Sequence, residues 1–426
     1  MESRPRVIVL TDISSVVGGY AEPDDTQSLV RLLLYTNELE LEGLVATYTN
    51  HGHTIHPQCI RMILQAYGKV HPRLVEHDPR YPSRETLLGM LRCGSPRDGP
   101  EQVGDGKDTE GSEWIIACAD REDERPLWIL VWGGITDLAQ ALWKVRHTRG
   151  EAGYESFKSK LRVYAISDQY AMGSMVRDQN PDLFYIVSGD SCRGMYREGD
   201  TSLAAGAWLD THVRAFHGTL GAAYPMYDGG DPWGRVVGMK EGDTPSLLYL
   251  VANGLGEPEH PEWGSWGGRF RRAAGRCYVD AEDTVDGQAR SARAAVYRWR
   301  DAYQRDFQAR MDWCVRSRGE CNHAPVAVAA AETAAGAGLH PGDTVRLNAA
   351  GSYDPDGDEL SFHWEVYREA GTYEGEVEIR GGAAPVAELQ LPPDSGGCTI
   401  HVLLSLTDKG EPPLTSYRRI VLQVNG

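Results

Sequence analysis

Val7-Ile8-Val9-Leu10 is an unbroken apolar, mostly β-branched run, and it restricts the architectures open to this chain more than any other feature. Such a run reads as a strand buried on both faces, which belongs inside a parallel sheet covered by helices. It ends in Thr11-Asp12, a glycine-bearing loop follows, and Glu22-Pro23-Asp24-Asp25 opens a segment in which Leu29, Val30, Leu32 and Leu33 recur at helical spacing. Pro23 suits a first helical turn. Asp12 is therefore expected at the carboxyl end of a central strand. Asp24 and Asp25 are expected at a helix N-terminus, where the dipole favours negative charge. Open α/β sheets bind ligands at that edge. Carboxylates converging there repel one another unless a cation lies between them, and a hard cation such as Ca²⁺ takes about six to eight oxygens. The competing reading is a helix cap with solvated loop acids, an ordinary use of paired aspartates.

The alternation continues along the chain. Leu41 to Tyr48 reads as a second strand, followed by Asn50 and a histidine-containing turn, and Ile60, Ile63, Leu64 and Tyr67 make a helix face. Pro126 to Trp132 is another buried strand that ends in Gly133-Gly134, before a helix carrying Leu138, Ala141, Leu142 and Val145. Leu161 to Ile166 and Leu183 to Val187 add two more strands, while the glycine- and acid-rich stretch Gly94 to Gly111 reads as a mobile loop. Val296, Trp299, Tyr303 and Phe307 form a stripe suited to core packing. Strands alternating with helices imply a mostly parallel α/β sheet, here over residues 1–322.

The pattern changes near His323-Ala324-Pro325. Short alternating segments such as Thr344 to Leu347, Leu360 to Val366 and Ile400 to Leu404 follow, separated by turn residues. They suggest an all-β sandwich over residues 323–426. The junction Asn322-His323-Ala324-Pro325 lacks the Gly/Ser composition of a flexible tether, so the two parts are expected to pack together. Asp354-Pro355-Asp356-Gly357-Asp358 has the oxygen spacing of a calcium loop but not the rest of an EF-hand, and a tight turn held by aspartate side chains is the simpler reading.

Composition narrows the partners. A formal charge of −18 argues against nucleic acid or an anionic membrane as partner. No window approaches the roughly eighteen apolar residues of a membrane span. The chain enters a strand almost at once without a visible signal peptide, which reads as cytoplasmic by default and as secreted if the start was trimmed. Eight cysteines in 426 residues lack the paired spacings of a zinc site or a disulfide framework, so buried free thiols are expected, with Cys314 and Cys321 the closest pair.

The first region resembles the nucleoside hydrolase superfamily, whose members join a strand-end aspartate, a loop and a paired aspartate into a Ca²⁺ site. The resemblance implies that Asp12 is metal ligand and general base, that Asp25 is the second metal ligand, and that Asp24 and Asn50 face the sugar. In Trp132-Gly133-Gly134-Ile135-Thr136-Asp137-Leu138-Ala139 it implies a metal-binding main-chain carbonyl at Trp132, and in Glu241-Gly242-Asp243-Thr244-Pro245-Ser246 a last metal ligand at Asp243. The chain is most similar to a nucleoside hydrolase-like subfamily, often labelled cellulose-binding, that carries an immunoglobulin-like C-terminal domain. Its marks include Glu22 to Asp25, Glu241 to Ser246, His260 to Arg269 and Gly351 to Asp358, so the resemblance spans nearly the whole chain.

Departures from the common enzymes cluster on one side of that site. Leu10 stands where they carry a further aspartate, the separation of Asp12 from Asp24 is longer, and Gly242 replaces a histidine that protonates the leaving base in some of them. The late segment that holds the sugar's primary hydroxyl in those enzymes has no clear counterpart; Asp168-Gln169 and Asn180 lie in the corresponding stretch, without a residue-by-residue match. The expectation is a calcium-dependent hydrolase of an N- or O-glycosidic bond in a sugar or oligosaccharide derivative, with a carbohydrate or nucleoside-like substrate and a homo-oligomer left open. His51, His53, His56 and His260 are candidate acids by residue type only. The rival expectation is a carbohydrate-binding protein without turnover, in which Trp263 and Trp266, set among glycines, present indole faces to sugar rings. For these two the alternative is burial where loops meet the sheet.

Overall fold

The computed structural model describes residues 4–16, 23–231, 234–285, 287–332 and 338–426. The glycine-bearing loop before Pro23, with Glu22, lies outside the described residues. Among the described residues, ten strands belong to the first part: β1 (Arg6–Thr11), β2 (Glu40–Ala46), β3 (Leu91–Cys93), β4 (Leu127–Val131), β5 (Leu161–Ile166), β6 (Phe184–Ser188), β7 (Tyr227–Asp231), β8 (Gly234–Gly238), β9 (Phe270–Ala274) and β10 (Cys277–Asp280). Eight of them form one sheet in the order β3-β2-β1-β4-β5-β6-β10-β9, and β7 and β8 make a separate hairpin. All neighbours in the large sheet run parallel except β9, which is antiparallel to β10.

Every residue of β1 and β4 is buried, as their unbroken apolar runs require. Side chains alternate across the sheet. Val7 and Val9 face one hydrophobic core, with the helices Pro23–Leu33, Pro57–His77 and Arg300–Trp313; Ile8 and Leu10 face a second, with Glu110–Ala119 and Thr136–Ser159. The stripe Val296, Trp299, Tyr303 and Phe307 is core, as expected. The stretch Gly94 to Gly111 is fastened rather than loose: Ser95 N–H and the Thr109 hydroxyl donate to the buried Asp137 carboxylate, at 3.1 and 2.5 Å to Oδ1, and Gly104 N–H donates to Gln140 at 2.8 Å.

The C-terminal part is a sandwich of antiparallel strands β11 (Ala330–Glu332), β12 (Thr344–Asn348), β13 (Leu360–Val366), β14 (Ile379–Arg380), β15 (Val386–Gln390), β16 (Thr399–Asp408) and β17 (Thr415–Gln423). A sheet β11-β12-β15-β14 faces a sheet β13-β16-β17, the four-plus-three division of a constant-type immunoglobulin fold. Their inner faces share Val345, Leu347, Trp364, Leu389, Val402 and Leu404. Tyr367, Leu403 and Tyr417 belong instead to the core of the α/β part, so the two parts pack through a common apolar cluster. All eight cysteines are free thiols, Cys314 and Cys321 included. The 354–358 turn is built by Asp354, whose Oδ1 accepts the N–H groups of Asp356 and Asp358 at 2.8 and 3.1 Å.

Candidate active site

The strand order turns back on itself at β1, whose neighbours are β2 on one side and β4 on the other. Loops leaving the carboxyl ends of β1 and β4 diverge there, the position at which doubly wound sheets bind ligands. Asp12 follows β1, and Trp132-Gly133 follows β4. The two strand ends abut: a Cβ on Gly133 would lie 2.3 Å from Asp12 Cγ, so this close approach needs a residue without a side chain.

Asp12 is 1% exposed and its Oδ2 accepts a hydrogen bond from the Tyr170 hydroxyl. Burial pushes its carboxyl pKa up to about 7; the Tyr170 hydrogen bond opposes this and the nearby Asp24 charge adds to it. Asp24 and Asp25 occupy the first turn of the helix Pro23–Leu33, and the Thr11 hydroxyl donates to Asp25. Asp243 immediately precedes the helix Thr244–Leu248, and its side chain makes no capping hydrogen bond to it. One oxygen each from Asp24, Asp25 and Asp243 lies within 4.8 Å of the others. Oxygens bound to one Ca²⁺ at about 2.3–2.6 Å can be no farther apart than about 5 Å, so the spacing and the all-oxygen donor set fit a hard cation. Among the described residues the buried Asp24 Oδ1 has no hydrogen-bond partner, while Oδ2 faces Lys240 Nζ at 3.6 Å.

A buried polar seam holds the trio together. Gln27 and Arg31 follow Asp24 and Asp25 on the same helix. The Gln27 amide donates to the carbonyls of Pro225 and Gly238, at 2.8 and 3.1 Å, and accepts from Lys240 N–H at 2.7 Å. Arg31 clamps Glu241, which also accepts from Tyr224 and Thr244. Ser246 bridges the remaining gap: it accepts from Trp132 Nε1 at 2.8 Å and donates to the Asp243 carbonyl at 2.7 Å.

The structure thus brings Asp12, Asp24, Asp25, Asp243 and Trp132 to one sheet edge, with two differences from the expected roles. Asp24, assigned to the sugar, is one of the three clustered carboxylates, whereas Asp12 stands beside that trio and bonds Tyr170. The Trp132 carbonyl accepts from Gln169 Nε2 at 2.5 Å. Asn50 is exposed and accepts from the Tyr48 hydroxyl at 3.2 Å, and the Tyr48 ring meets Tyr170 edge-on at 5.6 Å. His53, Ser167 and Tyr170, all in these loops, have left-handed backbones at φ 54°, 60° and 56°, strain of the kind that collects at functional sites.

Trp263 and Trp266 are not brought to the cluster. Trp266 is buried between the two parts, its indole N–H donating to the Tyr417 hydroxyl at 3.3 Å. Trp263 stacks on His260 at 4.2 Å and lines a cavity beside Arg4, Arg125 and Arg162, which lie where β1, β4 and β5 begin. Both therefore sit toward the opposite edge of the sheet, and the reason is the sandwich, whose β17 covers the loop that carries them. Asp168 pairs with Arg177, and Asn180 bonds Tyr154 and the Val176 carbonyl, so both fix the helix Gly173–Gln179. Tyr170, Lys240 and Arg31 escaped the sequence reading. Tyr170 carried one usable signal, its position in the loop after β5 at the same carboxyl edge.

Residues 6–270 match the family described as cellulose-binding Sde182, nucleoside hydrolase-like domain, and residues 344–424 match the C-terminal domain of the cellulose-binding protein Sde0182. Among solved structures, the chain is similar to a nucleoside hydrolase-related hypothetical protein from Saccharophagus degradans that is associated with carbohydrate metabolism. Identity is 37%, coverage is 99% of this chain and 100% of that one, and the TM-score is 0.83. A PKD domain from the KIAA 1837 protein also matches over 22% of this chain and 84% of its own, at 22% identity and a TM-score of 0.16. No curated protein matches.

Proposed function

This chain belongs to the cellulose-binding Sde182 family, with a nucleoside hydrolase-like domain and the family's C-terminal domain, and from that premise we propose that it is a calcium-dependent hydrolase of a glycosidic bond. The observation that carries the reading is the meeting of a desolvated Asp12 with three further carboxylates at the topological switch of the sheet.

Asp24, Asp25 and Asp243 would hold the ion, with Asp12 and the Trp132 carbonyl adjoining. When bound, Ca²⁺ supplies Lewis acidity, which makes a water more acidic and grips vicinal sugar hydroxyls. Asp12 acts as general base toward the attacking water; burial and the Asp24 charge raise its pKa when no ion is bound, and an adjoining cation would lower it again and keep the carboxylate ionised to accept the proton. Tyr170 orients the Asp12 carboxylate. Negative charge beneath the ring stabilises the oxocarbenium-like state through which glycosides break. Asn50 lies at the rim, placed for a sugar hydroxyl. The substrate is a sugar or oligosaccharide derivative rather than an ordinary nucleoside, because the loop after Asp12 is longer, Gly242 stands where some of the common enzymes protonate the leaving base, and Leu10, buried in the core, replaces a carboxylate.

The test is a product screen over nucleosides and plant-wall or microbial oligosaccharides, with and without chelator, using Asp12→Asn as control. Removing the base lowers turnover by roughly 10²–10⁴-fold. Activity that survives both chelation and Asp12→Asn defeats the mechanism. A second reading, carbohydrate binding without turnover, is favoured by the family's description as cellulose-binding and by the Tyr170 hydroxyl resting on the Asp12 oxygen. Polysaccharide retention with no turnover of any glycoside decides for it.

A further inference from the structure

A cavity of about 590 Å³ lies between the α/β part and the sandwich, toward the opposite edge of the sheet from Asp12. Its size is within the range of roughly 300–1,000 Å³ typical of small-molecule sites. Five arginines line it, Arg4, Arg125, Arg162, Arg418 and Arg419, against the acids Glu257 and Glu259, an island of positive charge on a chain of net −18.

The arginines differ in what neutralises them. Arg162 is clamped by Glu259 at 2.9 Å, and Arg125 by Asp123 and Glu40 at 2.5 and 2.8 Å. Arg419 is different. Its guanidinium donates to the carbonyls of Leu255, Trp263 and Gly264 and to His401 Nδ1, at 2.8 to 3.2 Å. These are neutral acceptors, and among the described residues no carboxylate pairs with it. Arg419 is half-buried, and a guanidinium in that setting normally has an acid partner, because desolvating an unpaired charge is costly. Its pKa is lowered to about 10, chiefly by burial. Its neighbour Arg418 is exposed on the same strand and has no ion pair among the described residues, and Arg4 reaches Glu40 only at 3.9 Å.

We propose that this cavity is a binding site for a small organic anion, a molecule carrying a carboxylate or phosphate group, with Arg419 supplying the fixed positive field, Arg418 the free donor and the loosely held Arg4 a second one. Both parts of the chain build it, since β17 contributes Arg418 and Arg419 and the α/β part contributes Arg4 and the 250–259 segment. The site is independent of the carboxylate cluster and does not rest on the hydrolase reading.

The test is calorimetric titration of the full chain with D-glucuronate, inorganic phosphate and D-glucose. Saturable binding of glucuronate or phosphate, with none of glucose, is expected, and whichever anion binds tells the carboxylate source from the phosphate source. Arg418→Gln touches no side-chain bond among the described residues and should weaken binding at least tenfold. Glu259→Gln frees Arg162 and should tighten it, a direction that damaged folding would not produce. Asp12→Asn should leave the affinity unchanged. Failure of both anions to bind, equal binding of glucose, or an affinity indifferent to Arg418→Gln and Glu259→Gln overturns the proposal.

Discussion

Arg31 and Glu241 form a two-pronged ion pair, Nε to Oε2 at 2.5 Å and Nη2 to Oε1 at 3.1 Å, with both side chains wholly buried. Arg31 lies on the helix that begins with Asp24 and Asp25, and Glu241 stands two residues before Asp243. The pair therefore sets the distance between the two halves of the carboxylate cluster. Good geometry offsets its desolvation cost: the Tyr303 carbonyl and Gln304 accept from the guanidinium, Tyr224 and Thr244 donate to Glu241, and the Phe307 ring lies 3.8 Å beneath the guanidinium.

Glu241→Gln leaves Arg31 charged, buried and without its counter-ion. Loss of one partner of such a pair costs about 3–5 kcal/mol. Urea unfolding of the variant should show a loss of that size with an unchanged denaturant slope. A change below about 1 kcal/mol would mean that the pair does not hold the site together.

The cation makes a separate prediction, read without any substrate. Ligands that bind only the folded state stabilise it by about 2.7 kcal/mol at a hundredfold excess over Kd. Thermal unfolding in excess Ca²⁺ should therefore occur well above the temperature found in chelator, and Asp243→Asn should abolish the difference. In chelator the same variant should match or exceed the wild type, because it removes one of three mutually repelling carboxylates. A wild type indifferent to Ca²⁺ rules out the ion.

Features written locally were legible in the sequence. The β1 run, its terminal Asp12 and the Asp24-Asp25 helix start each follow from a few adjacent residues, and the structure has them where periodicity puts them. Features created by distant packing were not legible. β9 is Phe270-Arg271-Arg272-Ala273-Ala274, exposed except for Phe270, and nothing in its pattern marks a sheet edge. β3 has only three residues, too few for any period. The tryptophans show the same limit from the other side. Glycine beside indole reads equally as a displayed ring or a buried one, and only β17, about 150 residues later, decides that Trp266 is covered. Tyr170 reaches Asp12 across a sequence separation of 158, and no local rule gives that contact.

His401 gives the stability a pH dependence. Burial pushes its pKa down to about 4, and the Arg419 guanidinium at Nδ1 and the nearby His260 push in the same direction. An unfolded histidine titrates near 6.5, so between those values the unfolded chain binds a proton that the folded chain refuses. Unfolding free energy is then unaffected by this group above about pH 6.5 and falls as the pH drops toward about 4, with a slope that approaches 1.4 kcal/mol per pH unit. Buried His77 and His323, both also shifted downward, steepen the loss. Urea midpoints measured across this range should flatten in His401→Gln, and an unchanged slope would contradict the assignment.

The last prediction separates steric closure of the strand ends from general damage to the loop, because adjacent glycines differ in what surrounds them. A Cβ added to Gly133 meets Asp12 Cγ and Oδ1 at 2.3 Å, whereas one added to Gly134 meets nothing nearer than the Tyr48 carbonyl at 3.5 Å. Neither glycine has a left-handed backbone, so alanine is not strained by φ at either position. Gly133→Ala must push Asp12 away from the β4 end and from the Tyr170 hydroxyl, at an overpacking cost of about 1–3 kcal/mol. Gly134→Ala should be close to neutral. Turnover of any glycoside identified in the product screen should fall with the first substitution and persist with the second, and urea unfolding of the two variants gives the energetic difference directly. Equal behaviour of the two would show that the abutment of Asp12 and Gly133 is not what positions the base.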